Sequence, residues 1–206
     1  MNGMGSWKVN VSVGSMPQKV ATAVSEMNER LGVEFEPIAY LASQEVHGIN
    51  HAVLLKERRI LGQDLDMIVV TKFYECKDGI TELGTDIVKV GGNGFGGTVI
   101  DVKTDIPQEA KEAFDKAFNG WTGSNIVPFA LVATQITNGV NYTFAVELTS
   151  VTLEEAKKVA LVTVNSNTGR VVGTFIDLLA TKEEVVEDAQ SVNKLGYAFT
   201  WLTKGV

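Results

Sequence analysis

A single cysteine, Cys76, and four prolines are all that this chain of 206 residues holds of either type. One thiol closes no internal disulfide, so stability has to come from packing, and the count suits a reducing compartment. Long apolar runs are missing as well. Each hydrophobic stretch is interrupted well before the ~20 residues that a bilayer span requires. The opening Met1-Asn2-Gly3-Met4-Gly5 lacks a basic region followed by an apolar one. The chain therefore reads as soluble and cytoplasmic, with no secretory signal and no membrane partner. Positive charge is scarce: 18 Lys and Arg against 25 Asp and Glu leave a net charge of -7. No basic run extends past Lys56-Glu57-Arg58-Arg59, which argues against nucleic acid as a partner. Hydrophobic and charged contents of 45% and 21% are those of a globular protein and exclude disordered or fibrous classes.

Catalytic and metal-binding patterns are thin too. Cys76 with His47 or His51 would be the only thiol and imidazole pairing, and no spacing brings them together. His51 aligns with Tyr142 on an inward strand face and reads as a packed core histidine; Cys76, at a strand end, reads as a small hydrophobe. The two histidines flank a turn, with no carboxylate or thiol at ligand spacing, so no metal is expected. Gly91 to Gly97 lacks the Lys-Ser or Lys-Thr of a phosphate loop and reads as a linker. No enzyme activity and no cofactor are expected.

What the chain does have is a repeat. Ser15-Met16-Pro17-Gln18 and Asp105-Ile106-Pro107-Gln108 each place a capping residue three positions before a Gln, with Pro just inside the helix. Val20, Val24, Met27 and Leu31 then recur at helical spacing, matched later by Ala110, Phe114, Ala117 and Trp121. Each helix gains one apolar stripe to set against a sheet. After each comes a Pro-led strand, Pro37 to Gln44 and Pro128 to Gln135, with the Pro, both Ala and the Gln identical. Beyond a turn ending at Gly48 or Gly139, the second copy alternates, with Val140, Tyr142, Phe144, Val146 and Leu148 on one face. Further strands are expected over Asp66 to Glu75, Lys158 to Asn165 and Arg170 to Leu178, and a first strand over Trp7 to Val13 and Thr98 to Lys103.

The domain organisation that follows is a first unit over 1–90, a Gly-rich linker over 91–97, a second unit over 98–180, and a helix-and-strand extension over 181–206. In the extension, Thr181-Lys182-Glu183-Glu184 forms a capping box, Val185, Ala189 and Val192 supply a stripe, and Tyr197, Phe199 and Trp201 alternate. The expected class is α+β: two tandem units, each a helix packed across a twisted antiparallel sheet, plus a C-terminal helix.

The segments Ala42-Ser43-Gln44-Glu45-Val46-His47-Gly48-Ile49-Asn50 and Ala133-Thr134-Gln135-Ile136-Thr137-Asn138-Gly139-Val140-Asn141-Tyr142 resemble the first hairpin of cystatins, inhibitors of papain-like cysteine proteases. Gln44, Val46 and Gly48 match that family's Gln-x-Val-x-Gly signature; Gln135 and Gly139 match with Thr137 in the Val place. The resemblance implies a protein-binding module whose contact residues are Gln44, Glu45, Val46, His47 and Gly48 together with Gln135, Ile136, Thr137, Asn138 and Gly139. It implies a papain-like cysteine protease as the partner. A Gly segment would accompany each hairpin, at Gly5 and at Gly96-Gly97. The family's Pro-Trp second hairpin has no counterpart; Lys77-Asp78-Gly79 and Asn165 to Gly169 stand in its place. The alternative is a structural or assembly role, with homo-oligomers formed through sheet edges or the aromatic C-terminus.

Overall fold

The computed structural model describes residues 5–60, 65–92, 96–151 and 156–180. In chain order the elements are β1 (Trp7–Val13), α1 (Gln18–Met27), β2 (Val33–Glu45), β3 (Ile49–Arg59), β4 (Leu65–Cys76), β5 (Gly79–Val90), β6 (Thr98–Lys103), α2 (Gln108–Phe118), β7 (Ser124–Thr137), β8 (Gly139–Ser150), β9 (Lys157–Asn165) and β10 (Arg170–Asp177). The strands make two five-stranded antiparallel sheets, in the orders β1-β2-β3-β4-β5 and β10-β9-β8-β7-β6.

The central strands β3 and β4 carry unbroken apolar runs because both faces of the sheet are covered there. Ala52-Val53-Leu54-Leu55 and Met67-Ile68-Val69-Val70 are buried throughout. Adjacent residues of a strand point to opposite faces, and the two sets go to different cores. Leu41, Ala52, Leu54, Ile68 and Val70 of the first sheet pack with Val132, Ala133, Ala145, Val159 and Leu161 of the second, so the sheets stack face to face. The alternate set, with Val53, Leu55, Met67 and Val69, lies with Val20, Val24 and Met27 of α1. Leu131, Phe144, Val146, Ala160 and Val162 lie with Ala110, Ala113 and Phe114 of α2. The many alanines between the sheets suit close approach, and each large side chain buried there contributes roughly 1.5–3 kcal/mol.

The expected α+β class is corrected by this layout. Among the described residues the fold is mostly β, and the two helices found there, of 10 and 11 residues, are short covers on two large sheets that share a core. Alternation in β8 is the pattern of a half-buried strand, but the face bearing Asn141, Thr143 and Ala145 is also buried. The C-terminal helix and the segment 181–206 lie outside the described residues. The helix stripes stop short: α1 ends at Met27 and leaves Leu31 94% exposed, while Trp121 lies beyond α2. The capping reading also changes. Pro17 and Pro107 precede the helices with extended ψ and no side-chain cap bond forms at either, the Ser15 hydroxyl meeting Ser12 instead.

The two stacked sheets run in opposite senses. The Gly91 amide donates to Asp66 O and the Gly92 amide to Thr98 O. Asp66 sits at the β3–β4 end of the first sheet, opposite Arg58, whereas Thr98 sits beside Gln135 at the β7–β8 hairpin end of the second. At the other end of the stack, Trp7, the strand partner of Gln44, shares a cavity with Lys157, Lys158, Asp177 and Leu179, where β9 begins and β10 ends. The β2–β3 and β7–β8 hairpins therefore project from opposite ends.

Candidate hairpin docking site

Each hairpin tip rests on an internal clamp. In the first, Gln44 and Asn50 are directly paired across β2 and β3, and Asn50 Nδ2 donates to Gln44 Oε1 at 2.7 Å. Gln44 Nε2 in turn donates to the carbonyl of Gly5, tying the hairpin to the segment before β1. The second hairpin repeats the arrangement. Asn141 Nδ2 donates to Gln135 Oε1 at 3.2 Å and Gln135 Nε2 to Gly96 O at 2.9 Å. Both ends of each Gln amide are thus used inside the fold, and the Gln and Asn of the repeated motif are one cross-strand unit.

The glycines answer to the neighbouring strand turn. A Cβ on Gly48 would lie 2.2 Å from Glu75 O and 2.8 Å from the Tyr74 ring, so the residue is Gly because β4 passes directly beneath it. At Gly139, φ is +91° and a Cβ would lie 2.8 Å from Asn167 Cβ. This position needs glycine both for its backbone and for the space. Of the two glycines, only Gly139 has a positive φ.

With Gln and Gly engaged, the outward groups are those between them. Val46 is 43% exposed and Ile136 76% exposed. His47, Thr137 and Asn138 are also exposed. Glu45 is exposed but paired, its carboxylate 2.6 Å from Lys8 Nζ on β1. The second tip carries a support that the sequence reading missed. Asn165, buried at the end of β9, donates through Nδ2 to Asn141 Oδ1 at 2.8 Å, Thr137 Oγ1 at 3.3 Å and Asn138 O at 3.3 Å. Its Oδ1 accepts from the Asn167 and Thr168 amides at 3.1 Å and 2.9 Å. Its place at the head of Asn165-Ser166-Asn167-Thr168-Gly169 was the available signal, since Asn bonding to the backbone two and three residues on is what makes such turns.

Behind the first tip lies a polar chain. His51 is buried; its Nδ1 is 2.9 Å from the Tyr40 hydroxyl and its Nε2 is 3.1 Å from Glu75 Oε2. The other Glu75 oxygen meets Lys19 Nζ of α1 at 2.7 Å. The Lys19 hydrogen bond holds the Glu75 carboxyl below its ordinary value, with a smaller downward contribution from His51 working against partial burial. Burial pushes the Tyr40 phenol up, against a hydrogen bond from Ser43 that lowers it, and burial raises Tyr142 likewise. His51 is thus a buried histidine, both of whose ring nitrogens lie within hydrogen-bond distance of protein groups. A cavity of about 420 Å³ opens between β1, α1 and β2, lined by Ser12, Met16, Pro37, Ile38 and Tyr40. Among the described residues no cluster of three or more potential ligands could hold a metal, and no helix is long and apolar enough to cross a membrane. Comparison of the chain with protein-family models, with curated proteins and with solved structures yields no match.

Proposed function

We propose that this chain is a protein-binding module that acts by docking its hairpin tips, without chemistry of its own, into a groove of a partner, with papain-like cysteine proteases as the partner class. The observation that carries the reading is the clamp under each tip, Gln44 with Asn50 and Gly5, and Gln135 with Asn141 and Gly96. It fixes three chain segments at one end of each sheet and leaves Val46 and Ile136 outward. A tip already rigid before contact loses little conformational freedom on docking, which is where short binding loops otherwise lose affinity. Glu45, paired with Lys8, enters such a groove as half of an ion pair, which moderates the desolvation cost of a lone carboxylate.

The assembly reading draws on exposed Leu83, Ile87 and Val90 of the edge strand β5. Against strand-to-strand assembly, all four edge strands carry register irregularities, at Val9/Ser12 in β1, opposite Ile68/Val69 and Lys72/Phe73 in β5, at Ile100/Lys103 in β6 and at Val172/Ile176 in β10. Bulged edges deter pairing with another chain. The deciding experiment is inhibition of papain by the purified chain, read with a fluorogenic peptide. Inhibition is expected, weakened ~10-fold or more when Val46→Asp and Ile136→Asp are combined, as loss of central apolar anchors does. Unchanged protease activity at micromolar chain overturns the protease assignment.

A further inference from the structure

We infer that one chain holds two partner molecules at once, one at each end, as a rigid bridge. The inference rests on the tip-docking reading and adds to it the number and placement of partners.

Three observations carry it. First, the tips face away from each other: the linker bonds of Gly91 to Asp66 and Gly92 to Thr98 join the plain end of the first sheet to the hairpin end of the second. The Trp7 cavity with Lys157 and Asp177 joins the reverse pair of ends. Second, the separation is sufficient. The longest strand among the described residues, β7, has 14 residues, and at roughly 3.3 Å per residue a strand of that length spans about 45 Å. A globular partner of about 200 residues has a radius of gyration near 16 Å, so two of them at opposite ends do not collide. Third, the spacing is fixed. The sheets share one apolar core built from both halves, including Leu41, Leu54 and Ile68 with Val132, Ala145 and Leu161. Neither tip can swing round to join the other on a single partner. A groove-bearing partner therefore meets one tip only, and the second tip stays open to another copy.

The test is native mass spectrometry of the full chain with papain as probe, its catalytic thiol capped by a methylthio group to prevent cleavage. At saturation the expected species is one chain with two papain molecules. Val46→Asp and Ile136→Asp each reduce it to one, and the double variant binds none. Both positions are exposed at tips, and circular dichroism of each variant checks that the fold is kept. Saturation at one papain that only one of the two substitutions abolishes overturns the bridge and leaves tip docking standing. Absence of any complex overturns tip docking itself, and the bridge with it.

Discussion

Gln44 and Gln135 attract notice in the sequence because each stands a fixed distance before a glycine, and contact with a partner is the natural reading. Their amides close a circuit with Asn50 or Asn141 and the carbonyl of Gly5 or Gly96. The motif was legible; its bond to the Gly5 or Gly96 carbonyl was not, because a hydrogen-bond partner 39 residues away leaves no local pattern. The glycines make the same point. Gly48 looks like a turn residue, yet its constraint is the Glu75 carbonyl 2.2 Å from where a Cβ would be. Gly48→Ala should therefore cost about 1–3 kcal/mol, the usual range for overpacking, read as a fall in the urea midpoint at unchanged slope. An unshifted midpoint would show that β4 gives way freely. Glu75 supplies a second prediction. Its carboxyl is held below the ordinary value of 4.5, chiefly by Lys19, so the folded chain binds that proton less readily than the unfolded chain does. The stabilisation is present in full above the ordinary value and is lost as pH falls through the lowered one. Melting temperature should thus drop more steeply below that ordinary value in the parent than in Glu75→Gln, and parallel curves would remove Glu75 from the acid response.

At the scale of elements, the Pro-led strands and the helix starts could be read because Pro and helical spacing are local signals. β5 could not. Its register slips opposite Ile68/Val69 and Lys72/Phe73, which breaks the two-residue alternation by which a strand is recognised. Register irregularities of the kind that hide an edge strand from a sequence reading are also ones that deter edge strands from pairing with other chains. The helices were overextended because Leu31 and Trp121 continue the spacing beyond the last turn. Trp121 finds other company, packing edge-on to Phe118 and against Phe175, with its Nε1 donating to Ser124 Oγ at 2.9 Å. Phe114 anchors α2 through Phe118 and the buried Phe144, at centroid distances of 4.6 Å and 5.1 Å. Phe114→Ala should cost about 3–5 kcal/mol, measured by chemical denaturation. A loss below about 1 kcal/mol would mean that the second sheet stands without its helix, since only well-tolerated core changes fall that low.

For the whole molecule, the sequence suggests two units in a row, each with its own helix and sheet, and units of about 90 residues are small enough to bury surface against each other. The recurring order of strand, helix and four strands is present, but the face that a lone unit would turn to water is the core shared by both sheets. Nothing in a single strand's pattern distinguishes burial against a helix from burial against another sheet. The runs Ala52-Val53-Leu54-Leu55 and Met67-Ile68-Val69-Val70, apolar at every position, were the available signal that both faces are covered. Stacking in opposite senses then sets everything proposed for the tips, and the distance between them tests it most directly. Spin labels at Val46→Cys and Ile136→Cys, with Cys76→Ser to leave no other thiol, should give a pulsed-dipolar distance of about 40 Å or more in a narrow distribution, as strands of this length dictate. A distance near 20 Å, or a broad spread, would place the hairpins on one end or on separately moving halves and contradict the account.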